Sequence, residues 1–571
     1  MRKFPIKIHA LLVNLDGRVQ SIIIAIIVGM VSGLAAVGLN RSLHHLSQLV
    51  EGTFRGWTIV LAPVIGIVLT VLILKYLIRD FGGHGVPEVI YSVGMKGGRL
   101  KLRAAYSKLL GSLLTLAGGG SAGPEAPVVI SGAAIGSNIA TFFRTNERIR
   151  IAVTGSGAAA AIAAIFNAPL AGIIFTMEVI LGEWTALNLL PVAIASASGT
   201  ILSRALKGNQ IPFAHRPFQI GLTDILAAVG LAVLTALFAV VLIKGLRWAG
   251  LFFRRLTSSD LGKALSGGLM VGGLGYFFME VRGEGYDSVR SLIEGRFERA
   301  MGIVFLLILL KVAATALTLG AGGAGGVFAP SLVVGSLGGF FYYQVLTAVF
   351  PGVAFAGPGL FALVGMAGVL SGTLQAPLTS MFLILEITSG YDAILPLLIV
   401  AFLAATLVKL SEKHSIYFQE LVRKGLLIRP RTDARILADL RVDELLETDC
   451  IRIHPDMTLQ QLVPVIQKSH RNYFPVEQRE SGQFLGMVTF DDIKPYLFTA
   501  DLLPTIIVEE VMKTDLLLVD RKDSVVEILK KFDRSKSWSL PVVEEGRFVG
   551  LISKATLLDH YRRELLTQTE L

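Results

Sequence analysis

Apolar residues run in long, nearly unbroken stretches through the first 409 residues, and then the texture of the chain changes. The stretches fall at about 20–39, 58–78, 105–117, 150–165, 169–182, 187–204, 220–245, 262–279, 301–319, 332–349, 359–372, 377–388 and 392–409. Several are shorter than the ~20 residues that cross a bilayer, and glycine and proline punctuate them. Short, interrupted apolar segments predict half-helices that meet inside a membrane. Beyond residue 440 the pattern is that of a soluble α+β tail. Helical patterns opened by Thr458 and Ser524 alternate with strand-like runs such as YFPVEQ and SLPVVEE.

The apolar part contains an internal repeat. Residues 166–180 read FNAPLAGIIFTMEVI and residues 374–388 read LQAPLTSMFLILEIT. Each follows a run of small residues. Upstream of the first lies GGGSAGPEAPVVISGAAIGS, and upstream of the second GAGGAGGVFAPSLVVGSLGG. Two halves with matching broken segments predict a repeated transporter architecture, with the site where the halves face each other.

Composition sharpens this picture. The 571 residues are 53% hydrophobic and 17% charged, with mean hydropathy +0.64, against about 25% charged in a soluble protein. Charge is sparse before residue 440 and dense after it. A single soluble globule, disorder and a fibrous chain are all excluded. The whole chain carries a net charge of +10; the positive excess lies in the membrane part, where it suits basic cytosolic loops and an anion-attracting field rather than nucleic acid. One cysteine, Cys450, excludes an intramolecular disulfide and a cysteine-rich metal site; it is expected to be small and buried.

The broken segments suit an anion. In Gly123-Pro124-Glu125-Ala126-Pro127, Pro127 fits the first turn of a helix, where its missing N–H costs nothing. A helix start offers free N–H groups and a partial positive charge, which bind an anion without a buried cation. The stretch from Gly325 to Pro330 repeats the design, and Gly83-His84-Gly85-Val86-Pro87 is a third start. Glu125 would cost ~2.5–3.5 kcal/mol or more in an apolar segment at mid-bilayer. An anion site explains it, because a carboxylate can occupy the site and vacate it when protonated. Glu125 is therefore the expected gate.

These residues resemble the CLC chloride channel and transporter family over about 20–424. GHGVPEV (83–89) is similar to the family's GSGIPE, GPEAP (123–127) to its G(K/R)EGP, GVFAP (326–330) to GxFxP, and SIY (415–417) to its terminal motif. The resemblance implies an all-α polytopic membrane domain of inverted repeats with broken helices, working as a homodimer with one pore per subunit. It places Glu125 at the gating position and His84, Ala126, Val327, Phe328 and Tyr417 around the anion. Three residues depart from the family. His84 replaces a serine that touches chloride, which adds a titratable ring. Pro124 replaces a cation beside the gate. Val179 replaces the glutamate that passes protons in coupled members, while Glu178 matches its structural neighbour. The expectation from Val179 is a passive, Glu125-gated chloride channel. The alternative is a chloride/proton antiporter of the same fold, and a distant one is a cation transporter with a similar tail. Helix starts offer N–H groups, which have the wrong polarity for cations.

The tail resembles a pair of cystathionine-β-synthase (CBS) domains, so the whole is read as 1–19 cytosolic segment, 20–424 membrane domain, 425–439 linker, 440–505 and 506–571 CBS domains. The family's G-h-h-[ST]-x-x-D motif is complete as Gly486, Thr489 and Asp492, which implies an adenine-nucleotide site. In the second unit Ser553 and Thr556 stand there instead, without the carboxylate. The expected location is the cytoplasmic membrane, with the N-terminus and tail cytosolic, lipid and chloride as partners, and no metal. An enzyme is not expected. Gly119 to Gly123 fits G-x-S-x-G without the strand a hydrolase elbow needs. Gly320 to Gly325 fits G-x-G-x-x-G without a βαβ unit, and no H-E-x-x-H occurs.

Overall fold

A computed structural model of the protein describes residues 17–80, 85–209, 211–213, 217–424, 426, 440, 442–499, 501–535 and 537–569. His84 and nearly all of the expected linker 425–439 lie outside the described residues. The chain divides into two compact units, Met1–Leu427 and Ile428–Leu571.

The first unit is helical among its described residues. Its first half holds α1 (Gly17–Thr53), α2 (Leu61–Leu72), α3 (Val86–Met95), α4 (Ala104–Ala117), α5 (Glu125–Phe142), α6 (Glu147–Phe166), α7 (Pro169–Phe175) and α8 (Ala186–Lys207). Its second half holds α9 (Leu222–Leu256), α10 (Asp260–Phe277), α11 (Tyr286–Ile293), α12 (Met301–Gly320), α13 (Phe328–Val349), α14 (Pro358–Leu374), α15 (Pro377–Thr388), α16 (Ile394–Ser411) and α17 (Ile416–Arg423). Eight helices among the described residues are long and apolar enough to cross a membrane. Pro87, Pro127, Pro169, Pro330, Pro358 and Pro377 all fall in first turns, where no N–H is needed.

The core lies between α5, α6, α13 and α14, where small residues let backbones touch. Gly132 of α5 meets Gly157 of α6, and Gly335 of α13 meets Gly365 of α14, each glycine lying against the other's carbonyl oxygen. The two halves thus repeat each other in packing as well as in sequence. Two differences from the apolar pattern have local causes. Residues 169–182 read as one segment, but α7 widens at Thr176–Leu181 into a π-helical turn. The first segment reads as 20–39, but α1 runs on to Thr53 because Arg41, His44 and His45 face outward.

The second unit holds two similar halves. In the first, α18 (Leu459–Lys468) precedes β1 (Tyr473–Glu477) and β2 (Phe484–Thr489); in the second, α19 (Val525–Ser535) precedes β3 (Ser539–Glu544) and β4 (Arg547–Ser553), and α20 (Lys554–Thr569) follows. Each hairpin is antiparallel, pairing Pro475 with Met487 and Pro541 with Leu551. A further segment adds in parallel at Ile453–Val476 and Val519–Val542. The halves then exchange edges, because Glu447 bridges Leu551 while Lys513 bridges Met487. This exchange explains the motif glycines. A methyl group at Gly486 would lie 2.6 Å from the Lys513 carbonyl oxygen, and one at Gly550 2.7 Å from that of Glu447. Cys450, expected to be buried, is half-buried beside Met487 and Phe548, because it lies at the margin of this exchanged edge. Burial pushes its thiol up to about 11, so it stays protonated at neutral pH.

Candidate anion site

Two helix starts are locked face to face. Gly123, just before α5, donates its N–H to the Gly326 carbonyl at 2.8 Å, and Gly326, just before α13, returns the bond at 2.7 Å. Hydroxyls brace the approaching loops. Thr318 accepts from the Ser121 amide at 3.0 Å, and Thr115 accepts from the Ala324 amide at 3.0 Å. Both helices carry proline at their third position, so each leaves only its first amides free. These belong to Glu125 and Ala126 on α5 and to Phe328 and Ala329 on α13, with Val327 capping the latter. The third start, α3, also arrives here: a methyl group at Gly85 would lie 2.9 Å from the Ala126 carbonyl oxygen.

Glu125 is seated in this place with 1% exposure. Its Oε1 accepts from the Tyr286 hydroxyl at 2.5 Å. Its Oε2 is turned to the amides of Glu125 itself and Ala329 without completing a hydrogen bond. Phe328 is sealed by Phe166 and Phe175, at 5.6 and 6.3 Å between ring centroids. Tyr417, on the first turn of α17, is buried in the same core as Ala126, Val327 and Phe328, and its hydroxyl feels the Glu125 charge. The structure therefore brings Glu125, Ala126, Val327, Phe328 and Tyr417 together. A carboxylate, two opposed pairs of amides and an aromatic wall suit a dehydrated monovalent anion that competes with the carboxylate.

Glu178 and Val179 have different tasks. Val179 is buried in the π-helical turn. The Glu178 carboxylate accepts from the amides of Leu378 (3.2 Å) and Thr379 (2.7 Å) and from the Thr379 hydroxyl (2.6 Å). Glu386 in the second repeat does the reciprocal job, accepting from the amides of Leu170 (3.0 Å) and Ala171 (2.7 Å). Each copy thus caps the broken helix of the other. Removing the acceptor leaves partly buried donors unpaired. Glu178→Ala is expected to destabilise the unit by about 3 kcal/mol, read as a lowered melting temperature in detergent, and Glu386→Ala by less. Unchanged melting in both variants would contradict this role.

Sequence reasoning missed Tyr286, Glu386 and a buried lysine, Lys311. Glu386 was findable, since it stands at the repeat position of Glu178. Lys311 was findable as a lone cation inside 301–319. Tyr286 left no local signal, because its partner is 161 residues away.

In the tail, Asp492 accepts from the Thr489 amide (2.9 Å) and hydroxyl (2.6 Å) and pairs with Lys513 at 2.5 Å. Burial acts to raise its carboxyl, but the Lys513 and Thr489 hydrogen bonds outweigh that and hold it below the usual range. At the matching place in the second half, Glu447 accepts from Ser553 (2.7 Å), Thr556 and Arg471 (2.7 Å). A carboxylate from the chain itself fills that position.

The sequence model described as "Voltage gated chloride channel" matches residues 66–409, and that described as "CBS domain" matches 442–498 and 508–563. A protein of Ralstonia nicotianae named "Putative chloride channel protein ClcB-like" is 32% identical over 419 residues, covering 70% of this chain and 96% of the relative. The "H(+)/Cl(-) exchange transporter ClcA" of Vibrio cholerae is 29% identical over 430 residues, covering 70% and 88%. Among solved structures, a slow cyanobacterial Cl-/H+ antiporter superposes with TM-score 0.65 at 24% identity, covering 73% of this chain and 100% of the other. A eukaryotic CLC transporter gives 0.63 at 21% identity, covering 94% and 97%. These two show the shared fold.

Proposed function

Because the chain belongs to the voltage gated chloride channel family, we propose that it exchanges chloride for protons across a membrane, with Glu125 as the group both ions use. The observation that carries this reading is a carboxylate seated, almost fully buried, between two opposed helix starts. While ionised it occupies the place beside the amides that an anion would need. Once protonated it loses its claim on them, and chloride enters as the carboxyl leaves. One group then couples the two ions without a second machine. The relatives named as exchangers favour this over the passive channel expected from Val179. Val179 favours the channel as the second reading, since it has no proton to give. On its side, exchange needs water or another carboxylate, such as Glu183. The chain is further read as a homodimer in the cytoplasmic membrane, with the N-terminus and CBS tail cytosolic and the domain limits given above.

Purified protein in liposomes tests the choice. A chloride gradient is expected to drive protons uphill. Chloride flux with no proton movement would leave the channel reading standing and remove this one.

We also assign an adenine-nucleotide site to Thr489 and Asp492, with none at the Glu447-filled position. Occupancy at 100 times Kd adds about 2.7 kcal/mol, so millimolar ATP, ADP or AMP is expected to raise the melting temperature of the tail. Asp492→Ala should remove the effect. A tail indifferent to all three would dispose of the assignment.

A further inference from the structure

Lys311 lies in the middle of apolar α12 with 0% exposure. A buried lysine in a membrane helix is costly and calls for a specific use. Its ammonium group donates to two backbone carbonyls of one loop, those of Val281 (3.2 Å) and Gly283 (3.0 Å). The same loop is tied to the approach of α5, where the Gly283 amide donates to the Gly119 carbonyl at 3.4 Å. Gly285, just before α11, holds φ +83°, and a methyl group there would lie 2.9 Å from Val333 Cγ2 and 3.1 Å from Lys311 Nζ. The next residue is Tyr286, the first of α11. Its ring packs edge-on against Phe213, with centroids 5.4 Å apart and planes at 71°. Phe213 is 2% exposed, and its amide donates to the Ile387 carbonyl at 3.0 Å. Both the backbone leading to Tyr286 and its ring are therefore fixed, and the hydroxyl is delivered to Glu125 Oε1 at 2.5 Å.

This bond depends on the charge of its acceptor. A hydroxyl donating to a carboxylate makes a stronger bond than one donating to a neutral group. Displacing the ionised carboxylate also leaves a buried hydroxyl without its acceptor, a further cost. A protonated carboxyl has already given up the charge that made the bond strong. Other titratable groups stand near Glu125: Tyr417 on α17, and Glu284 on the loop whose carbonyls Lys311 holds. Among the described residues, Tyr286 alone gives Glu125 a side-chain hydrogen bond.

On the reading that Glu125 and chloride compete for one site, we infer that Tyr286 is a positioning residue that latches the ionised Glu125 carboxylate in that site, so that chloride is admitted only after Glu125 takes a proton. Lys311 serves the latch by fixing the loop that carries it. Without the hydroxyl, chloride displaces the charged carboxylate more easily and enters without a proton.

The test measures chloride affinity of full-length protein in detergent, at mildly alkaline and mildly acidic pH. Wild type and Glu125→Ala come first. Wild-type affinity that ignores pH and equals that of Glu125→Ala would overturn the competition itself, and this inference with it. With competition present, Tyr286→Phe keeps the ring against Phe213 and loses only the hydroxyl. It is expected to bind chloride about tenfold more tightly than wild type at alkaline pH and to match wild type at acidic pH. In the Glu125→Ala background the same substitution should change nothing, since the hydroxyl has no carboxylate to hold. Tyr286→Phe equal to wild type at alkaline pH would overturn the latch while leaving the competition intact. So would a gain of the same size in the Glu125→Ala background, because the tyrosine would then act on the site without Glu125.

Discussion

Glu125→Ala protein in liposomes is expected to pass chloride and no protons. The substitution removes the carboxyl that lies among the first-turn amides of α5 and α13. It removes no amide, so the anion site survives and stays open to chloride at every pH. Proton movement should fall to the leak of protein-free liposomes, and chloride flux should lose its dependence on pH. Glu125→Gln should behave alike, because its amide cannot carry the proton. Retained uphill proton movement in either variant would mean that coupling runs through another group, and the carboxylate at the helix starts would need a different explanation.

Gly157→Val is expected to yield no folded protein. A methyl group at Gly157 would lie 2.0 Å from the carbonyl oxygen of Gly132 and 2.6 Å from its carbon, and one at Gly132 would lie 2.2 Å from the Gly157 oxygen. Both obstacles are backbone, so no side chain can turn away. Relief requires α5 and α6 to separate, and α5 carries Glu125 at its first position. The penalty exceeds the ~1–3 kcal/mol of ordinary overpacking. The contact at Gly335 and Gly365, 2.4 and 2.3 Å by the same measure, predicts the same fate for Gly365→Val. Size-exclusion chromatography in detergent checks both. A monodisperse, coupled Gly157→Val exchanger would refute the packing described for the core.

Much of this arrangement was legible in the chain because glycine and proline mark where membrane helices break. GPEAP and GGVFAP announced two helix starts, and the structure bonds Gly123 to Gly326 between them. The duplicated FNAPLAG and LQAPLTS segments announced the repeat, and Glu178 and Glu386 cap each other's segments across it. What stayed hidden depends on long-range contact. Tyr286 sits in a short amphipathic helix that resembles any surface turn. Its meaning comes from a loop that Lys311 fixes from another helix. The exposed face of α1 was hidden for another reason, since outward polar residues end an apolar run without ending a helix. In the tail, the motif glycines read as part of a nucleotide signature, yet both also serve the exchanged edge at Lys513 and Glu447.

Chloride titrated into the purified, detergent-solubilised protein by calorimetry at a series of pH values tests the competition at the helix starts most directly. The account predicts that wild type binds chloride more tightly as pH falls, because each proton taken by Glu125 frees the amides, and that Glu125→Gln binds tightly at every pH. Equal chloride affinity across pH in wild type, unchanged in Glu125→Gln, would contradict it.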